Sequence, residues 1–317
     1  MTDQKVPAAP PVGEVTLEAG ASGFGGAETQ AAAVGGITRQ TQFGNVRRRF
    51  LRNKLAVIGL VMLTIVFVTA VFAPIIATHP PRAQDLEITL QSPSAEHWFG
   101  TDELGRDVFS RVVHGTRIAV TVGLVSIFLA LVIGVVLGSV SGYLGRAWDA
   151  LIMRIADVFF AFPLIIGAIM IILVVGRGVA PVIIALGLFS WATIARLLRS
   201  SILSIRESEY VEAARSLGAS KWRIVTRHVL PNSMAPVLVY AMVSVAAAIV
   251  AQASLSYLGV GVPPDVPDWG NMISSGQKFF GFKDYLWFFP SMAVVFTVLG
   301  FVFVGDGLRD ALDPRLR

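Results

Sequence analysis

The chain has 317 residues, 54% of them hydrophobic and 15% charged, where ordinary soluble domains carry about 25% charge. That is too little charge to cover a water-facing surface, so lipid is the better solvent for its outside. There is no cysteine, which excludes disulfides, thiolate metal sites and cysteine nucleophiles, and the net charge of +5 fits basic cytoplasmic loops and not nucleic acid.

Residues 1–46 are rich in Gly, Ala, Pro, Thr and Glu without apolar periodicity, and read as a disordered cytoplasmic tail. Arg47-Arg48-Arg49-Phe50-Leu51-Arg52-Asn53-Lys54 is a basic segment at the membrane edge, and the apolar run Leu55 to Ala77 follows it. That run reaches about 34 Å, enough for a hydrocarbon core of about 30 Å. It is too long for a signal-peptide core, and no clear cleavage site follows, so it reads as a retained first crossing. Residues 47–96 then hold the first crossing and the start of an external loop, and 97–317 hold five more.

The second crossing is predicted over Ile118 to Val140, and the third within Ile155 to Val175, carrying Pro163. The fourth is about Val179 to Ala195, the fifth about Met234 to Ala253 and the sixth about Tyr285 to Val304. With the N-terminus in the cytoplasm, the inside segments 1–54, 143–154, 196–233 and 305–317 hold 19 of the 26 basic residues. Trp98, Trp269 and Trp287 then fall near the outer interface and Trp148 near the inner one. The expectation is an all-α integral membrane protein with six transmembrane helices and both termini in the cytoplasm.

The crossings hold almost no ionisable group, where ion-coupled carriers need them at mid-depth. Asp157 lies at the inner start of the third crossing, and Arg154, three residues before it, is its expected partner. Gly134, Gly138 and Gly142 repeat every four residues in the second crossing. Such a stripe lets two helix backbones approach closely, either inside this chain or against a partner. The acid- and base-rich stretch 102–111 reads as a solvated or amphipathic surface whose charges pair among themselves. The four histidines, His79, His97, His114 and His228, show no metal-ligand spacing, so no metal site is expected.

The long inside segment 196–233 is the most informative. Ser208 can cap a helix in which Tyr210, Ala214 and Leu217 share a face. Gly218 can end that helix in a left-handed turn, Ser220 can cap a second helix, and Pro231 is expected to stop it. Such a piece can lie flat on headgroups with Trp222 dipping, or present a knob to a cytoplasmic partner.

Glu212-Ala213-Ala214, three residues, Gly218, then Leu230-Pro231 resembles the EAA loop of ABC importer permeases. His228 stands where the general pattern has Ile, but an Arg-His-x-Leu-Pro-Asn ending is common in the peptide-importer branch. His97 to Arg111, Leu255 to Gly261 with Pro263-Pro264 and Trp269-Gly270, and Gly305 to Arg315 are similar to segments of the C-type permease subunits of dipeptide, oligopeptide and nickel importers. The resemblance covers about residue 45 to the end. Gln252 departs from it, standing where relatives often carry an acid.

The resemblance implies a type I ABC importer permease fold and a transport subunit for dipeptides or oligopeptides in the cell (inner or plasma) membrane. It implies that the EAA loop, 208–231, docks on a nucleotide-binding subunit, with Glu212, Ala213, Ala214, Gly218, Leu230 and Pro231 coupling ATP hydrolysis to the crossings. Implied partners are a second permease chain in a heterodimer, two ATPase domains, an external solute-binding protein, a peptide substrate and the lipid bilayer. No phosphate-binding loop occurs in this chain, so no catalytic residue, cofactor or metal is assigned to it, and ATP is expected on the partners. The alternative is a secondary transporter or channel subunit working without an ATPase. A membrane enzyme would need converging nucleophiles or metal ligands, and the serines at 190, 200 and 201 have no histidine or carboxylate near them in sequence.

Overall fold

The computed structural model describes residues 42–312. Of the tail expected over 1–46, residues 1–41 lie outside the described residues, as does the Asp313-Pro314-Arg315 end of the C-terminal motif, while 42–46 are helical and begin the helix that carries the basic segment. The regular elements described are helices: α1 (Gln42–Arg52), α2 (Lys54–Ile76), α3 (Val108–Leu144), α4 (Arg146–Ala161), α5 (Leu164–Val175), α6 (Val179–Ile205), α7 (Glu209–Ser216), α8 (Lys221–Ile224), α9 (Leu230–Tyr257), α10 (Trp269–Gly276) and α11 (Tyr285–Leu312). Helices satisfy every backbone polar group within the segment, which is what a hydrocarbon solvent demands.

Among the described residues, five helical stretches are long and apolar enough to cross a membrane: α2, α3, α6, Trp222–Tyr257 and α11. The expected third crossing is not one straight helix. Pro163 has no N–H to donate and holds Phe162 in an extended conformation, so α4 and α5 meet at a 92° bend. At 12 residues α5 spans only about 18 Å, too short to cross alone. The bent pair nevertheless carries the chain back across the bundle. Gly187 on α6 lies against Leu129 and Ser126 of α3, Ile194 against Gly134, Leu198 against Gly138 and Ile202 against Gly142. Residue numbers rise together along this seam, so α3 and α6 run parallel, and α4–α5 must return the chain between them. Counted this way, the described residues make six passes.

The helix stripes follow lipid logic. Along α2 the buried residues are Ala56, Gly59, Leu63, Val66, Ala70 and Ala73, spaced alternately three and four apart on one face. The opposite face leaves Val61, Ile65, Val71 and Ile75 open, as a lipid-facing surface should. The small residues let α11 approach: Gly307 meets Ala56, and Gly300 meets Leu63 and Met62. Asn53 caps α2 by accepting from the N–H of Leu55 and Ala56, and its Nδ2 donates to Asp310 of α11 at 3.0 Å. The first described helices and the last therefore begin and end at one end of the bundle.

The other end is closed by segments 77–107 and 258–284. The stretch 102–111, expected to be solvated, is largely buried: Arg106, Asp107 and Arg111 are all under 10% exposed. Asp102 pairs with Arg106 at 2.7 Å and lies 3.7 Å from Arg111. Arg111 donates to the carbonyls of Pro81 and Pro264, tying both loops to the top of α3. Trp269 is not an interfacial anchor; its ring is buried and its Nε1 donates to the Val112 carbonyl at 2.9 Å. Trp98 and Trp148 are exposed.

Candidate functional site

The connector between α6 and α9 is a rigid projection at the Asn53–Asp310 end of the protein. Its first helix, α7, begins after Ser208. The expected side-chain cap is absent, because Ser208 Oγ donates backward to the Ile205 carbonyl at 2.6 Å. The Ser208 carbonyl instead receives the N–H groups of Val211 and Glu212. Glu209 and Glu212 place negative charge in the first turn, where the helix dipole favours it.

The C-terminus of α7 follows the expected left-handed turn. Gly218 has φ +78°, its N–H bonds to the Arg215 carbonyl, and the Ala219 N–H bonds to the Ala214 carbonyl. These are the two bonds of a Schellman turn. A Cβ on Gly218 would meet nothing within 4 Å, so the need for glycine comes from the dihedral alone.

Tyr210, Ala214 and Leu217 lie on the face turned away from the bundle. Val211 is fully buried, and with Ile224 and Val229 it packs into the apolar cluster of Ile194, Leu198 and Ile202. Leu217 is 88% exposed and Trp222 77% exposed. Tyr210 points outward as well, its hydroxyl accepting from Asn232 Nδ2 at 3.4 Å. Three apolar side chains bolt the connector to the bundle, and the surface left open includes Tyr210, Glu212, Ala213, Arg215 and Leu217, with Ala214 half-buried.

Pro231 does not stop the second helix. The chain passes from α8 through a π turn, Val225–Val229, directly into α9, and the Leu230 N–H reaches the Val225 carbonyl. The wider turn accommodates the proline, which follows it directly in α9. Leu230 is half-buried and Pro231 exposed, both in the first turn of α9.

The floor beneath the connector is ionic. Asp149 on α4 accepts from Arg199 of α6, with Nη2 at 2.6 Å and Nε also in contact, and from Ser141 of α3. Arg206 donates to the Gly142 carbonyl at 3.3 Å. Asp157 pairs with Arg196 at 2.7 Å and not with the expected Arg154, because α4 packs against α6 and brings Arg196 across. Arg196 also stacks over Phe160 at 4.3 Å. The Asp157–Arg196 and Asp149–Arg199 pairs join residues 39 and 50 apart, so helix spacing did not signal them.

Gly134, Gly138 and Gly142 pack inside this chain, against α6, and fix the helix end that carries the connector. Gln252 faces the opposite end of α9. It is buried, and its Nε2 donates to Asp268 and to Ser256. Asp268 caps α10 through the Asn271 N–H at 3.0 Å, and burial pushes its carboxyl above the usual range.

The family described as binding-protein-dependent transport system inner membrane component matches residues 134–317, the connector included. The chain belongs to that family. The N-terminal transmembrane domain of oligopeptide transport permease C matches residues 41–93 of the permease. The dipeptide transport system permease protein DppC of Alkalihalophilus pseudofirmus is 40% identical over 270 residues, 85% of this chain and 89% of that protein. The oligopeptide transport system permease protein OppC of Bacillus subtilis is 41% identical over 269 residues, 85% and 88% of the two chains. The glutathione transport system permease protein GsiD of Escherichia coli O157:H7 is 41% identical over 271 residues, 85% and 89%. A chain of the MetNI methionine ABC transporter, in inward facing conformations, shares the fold with TM-score 0.54 at 21% identity, over 64% of this chain and 97% of that one. The permease is a multi-pass membrane protein.

Proposed function

We propose that this permease is the membrane-spanning subunit of an ATP-driven importer of dipeptides or oligopeptides, with ATP bound and hydrolysed on separate subunits. It pairs with a second permease chain, two ATPase domains and an external solute-binding protein. The end carrying Asn53, Asp310 and the connector faces the cytoplasm, with both termini, and the 77–107 and 258–284 loops face outward. The basic-residue distribution supports that orientation.

One observation carries the reading. A short helix ending in a Schellman glycine exposes Glu212 and Ala213 while Val211, Ile224 and Val229 hold it to the bundle. A docking knob must be slim where it enters a groove and stiff where it joins the crossings. Two alanines supply the first property and three buried aliphatic side chains the second. Relatives named for dipeptides and oligopeptides support the substrate class.

The chain has no cysteine, so Ala213→Cys creates a single thiol. In membranes co-expressing the ATPase of the same system, this thiol should crosslink to the ATPase and resist an impermeant thiol reagent added outside. Labelling from outside, or peptide accumulation in vesicles without ATP, would refute the proposal.

A further inference from the structure

Two histidines from separate segments meet at the end of the bundle opposite the connector. His79 follows the last turn of α2, and His97 precedes α3 on the same segment as Glu96. The imidazole rings lie 4.6 Å apart, centre to centre, tilted by 32°. One donor atom from each of His79, Glu96 and His97 falls within 4.8 Å of the other two. His97 is buried, His79 half-buried and Glu96 exposed, so the cluster has a closed back and an open rim.

The chain around these residues is fixed before any ligand arrives. The His79 N–H donates to Ser110 Oγ and the His97 N–H to Ser94 Oγ, both at 3.0 Å. Asp107 is the organising group. It accepts from the Ser110 N–H at 2.7 Å as the cap of α3 and lies 2.9 Å from His97 Nδ1. A carboxylate only accepts, so the His97 proton stays on Nδ1 and the Nε2 lone pair is free. A carboxylate behind a histidine, with the far nitrogen presented forward, is the arrangement that orients metal-ligating imidazoles.

We propose that His79, His97 and Glu96 bind a borderline divalent transition-metal ion of the Zn²⁺, Co²⁺ or Ni²⁺ class, with Asp107 orienting His97. Two imidazoles and one carboxylate suit these ions, whereas Mg²⁺ and Ca²⁺ prefer all-oxygen sites. Three protein ligands leave a coordination position for water at the exposed rim. The ion staples the segment leaving α2 to the segment approaching α3, adding to the hydrogen bonds and the imidazole contact that already join them. Nothing in the transport reading uses this cluster, so the two stand or fall separately.

The test uses the full-length chain, purified from membranes in detergent and stripped with a chelator. Co²⁺ titration should give saturable binding of about one ion per chain, with the visible bands of a four-coordinate N/O site, displaced by Zn²⁺. The His79→Gln/Glu96→Gln variant changes only rim side chains, so it should keep its metal-free melting behaviour and lose the Co²⁺ spectrum. Asp107→Asn should weaken binding by about 10–100-fold. Zn²⁺ should raise the melting temperature of the wild type and leave the double variant unmoved. Absence of saturable Co²⁺ binding by the wild type, or an unchanged spectrum in the double variant, would overturn the proposal and leave an ion-free imidazole–carboxylate network.

Discussion

Replacing Gly138 with valine tests the α3–α6 seam directly. A Cβ there would stand 2.8 Å from the Ala195 carbonyl oxygen and 3.0 Å from the Ala195 Cα. Both are backbone atoms, so no rotamer change in a neighbour relieves the contact. Carbon atoms pack at about 3.5–4.0 Å, so the helices must part by roughly 0.5 Å at this level for the Cβ alone, and further for the valine methyls. Overpacking of this kind costs about 1–3 kcal/mol, and removing a helix-interior glycine returns at most about 1 kcal/mol. The net loss should reach about 1–2 kcal/mol. Val136→Ile, on the exposed face of the same helix, is the matched control. Thermal unfolding of the detergent-purified protein, followed by tryptophan fluorescence, should show Gly138→Val melting clearly below wild type and Val136→Ile alongside it. If Gly138→Val melts with the wild type, the close approach of the two backbones is wrong.

Three other outcomes are expected. Gly218→Asp forces a Cβ into φ +78°, costing about 1–2 kcal/mol of local strain, and should cut ATP-dependent peptide uptake while leaving membrane insertion intact by protease mapping. Arg199→Ala strips Asp149 of its bidentate partner in a half-buried setting and should lower stability by about 1–3 kcal/mol, with Arg199→Lys between the two in the same melt. Burial holds the Asp268 carboxyl above its unfolded value, so the folded state binds that proton more tightly. The resulting stability is full below about pH 4 and is lost as pH rises through the elevated folded value. Melting curves against pH should therefore show wild type losing ground to Asp268→Asn, which keeps the α10 cap, as pH climbs from about 4 to 7.

The crossings were legible because lipid imposes a simple rule on composition, and the α2 and α11 boundaries follow from apolar runs. Pro163 was noticed, but a proline in an apolar run reads equally as a kink or a break. The 92° bend depends on how α4 and α5 pack against α6. The glycine stripe announced a close approach without naming the partner, since small residues carry no address. In the connector, the turn at Gly218 was readable from a local dihedral requirement. The buried face was not, because burying Val211 and leaving Leu217 open depends on where α6 ends. Pro231 was misread for a related reason: a π turn upstream let the helix continue through it. His79 and His97, like Arg111 and Pro264, are joined only by the fold of the outer loops, and no spacing rule reaches across those loops.

The passage through Pro231 has a mechanical consequence. Helix runs without interruption from Trp222 to Tyr257, about 54 Å of stem. One end carries the exposed Trp222, and the other carries Gln252 and Ser256 against the buried Asp268. The π turn at Val225–Val229 and the prolines at 231 and 236 are the places along this stem where it can bend. On the coupling role proposed above, a tilt of the stem beyond those points loads the Gln252–Asp268 contact at its far end.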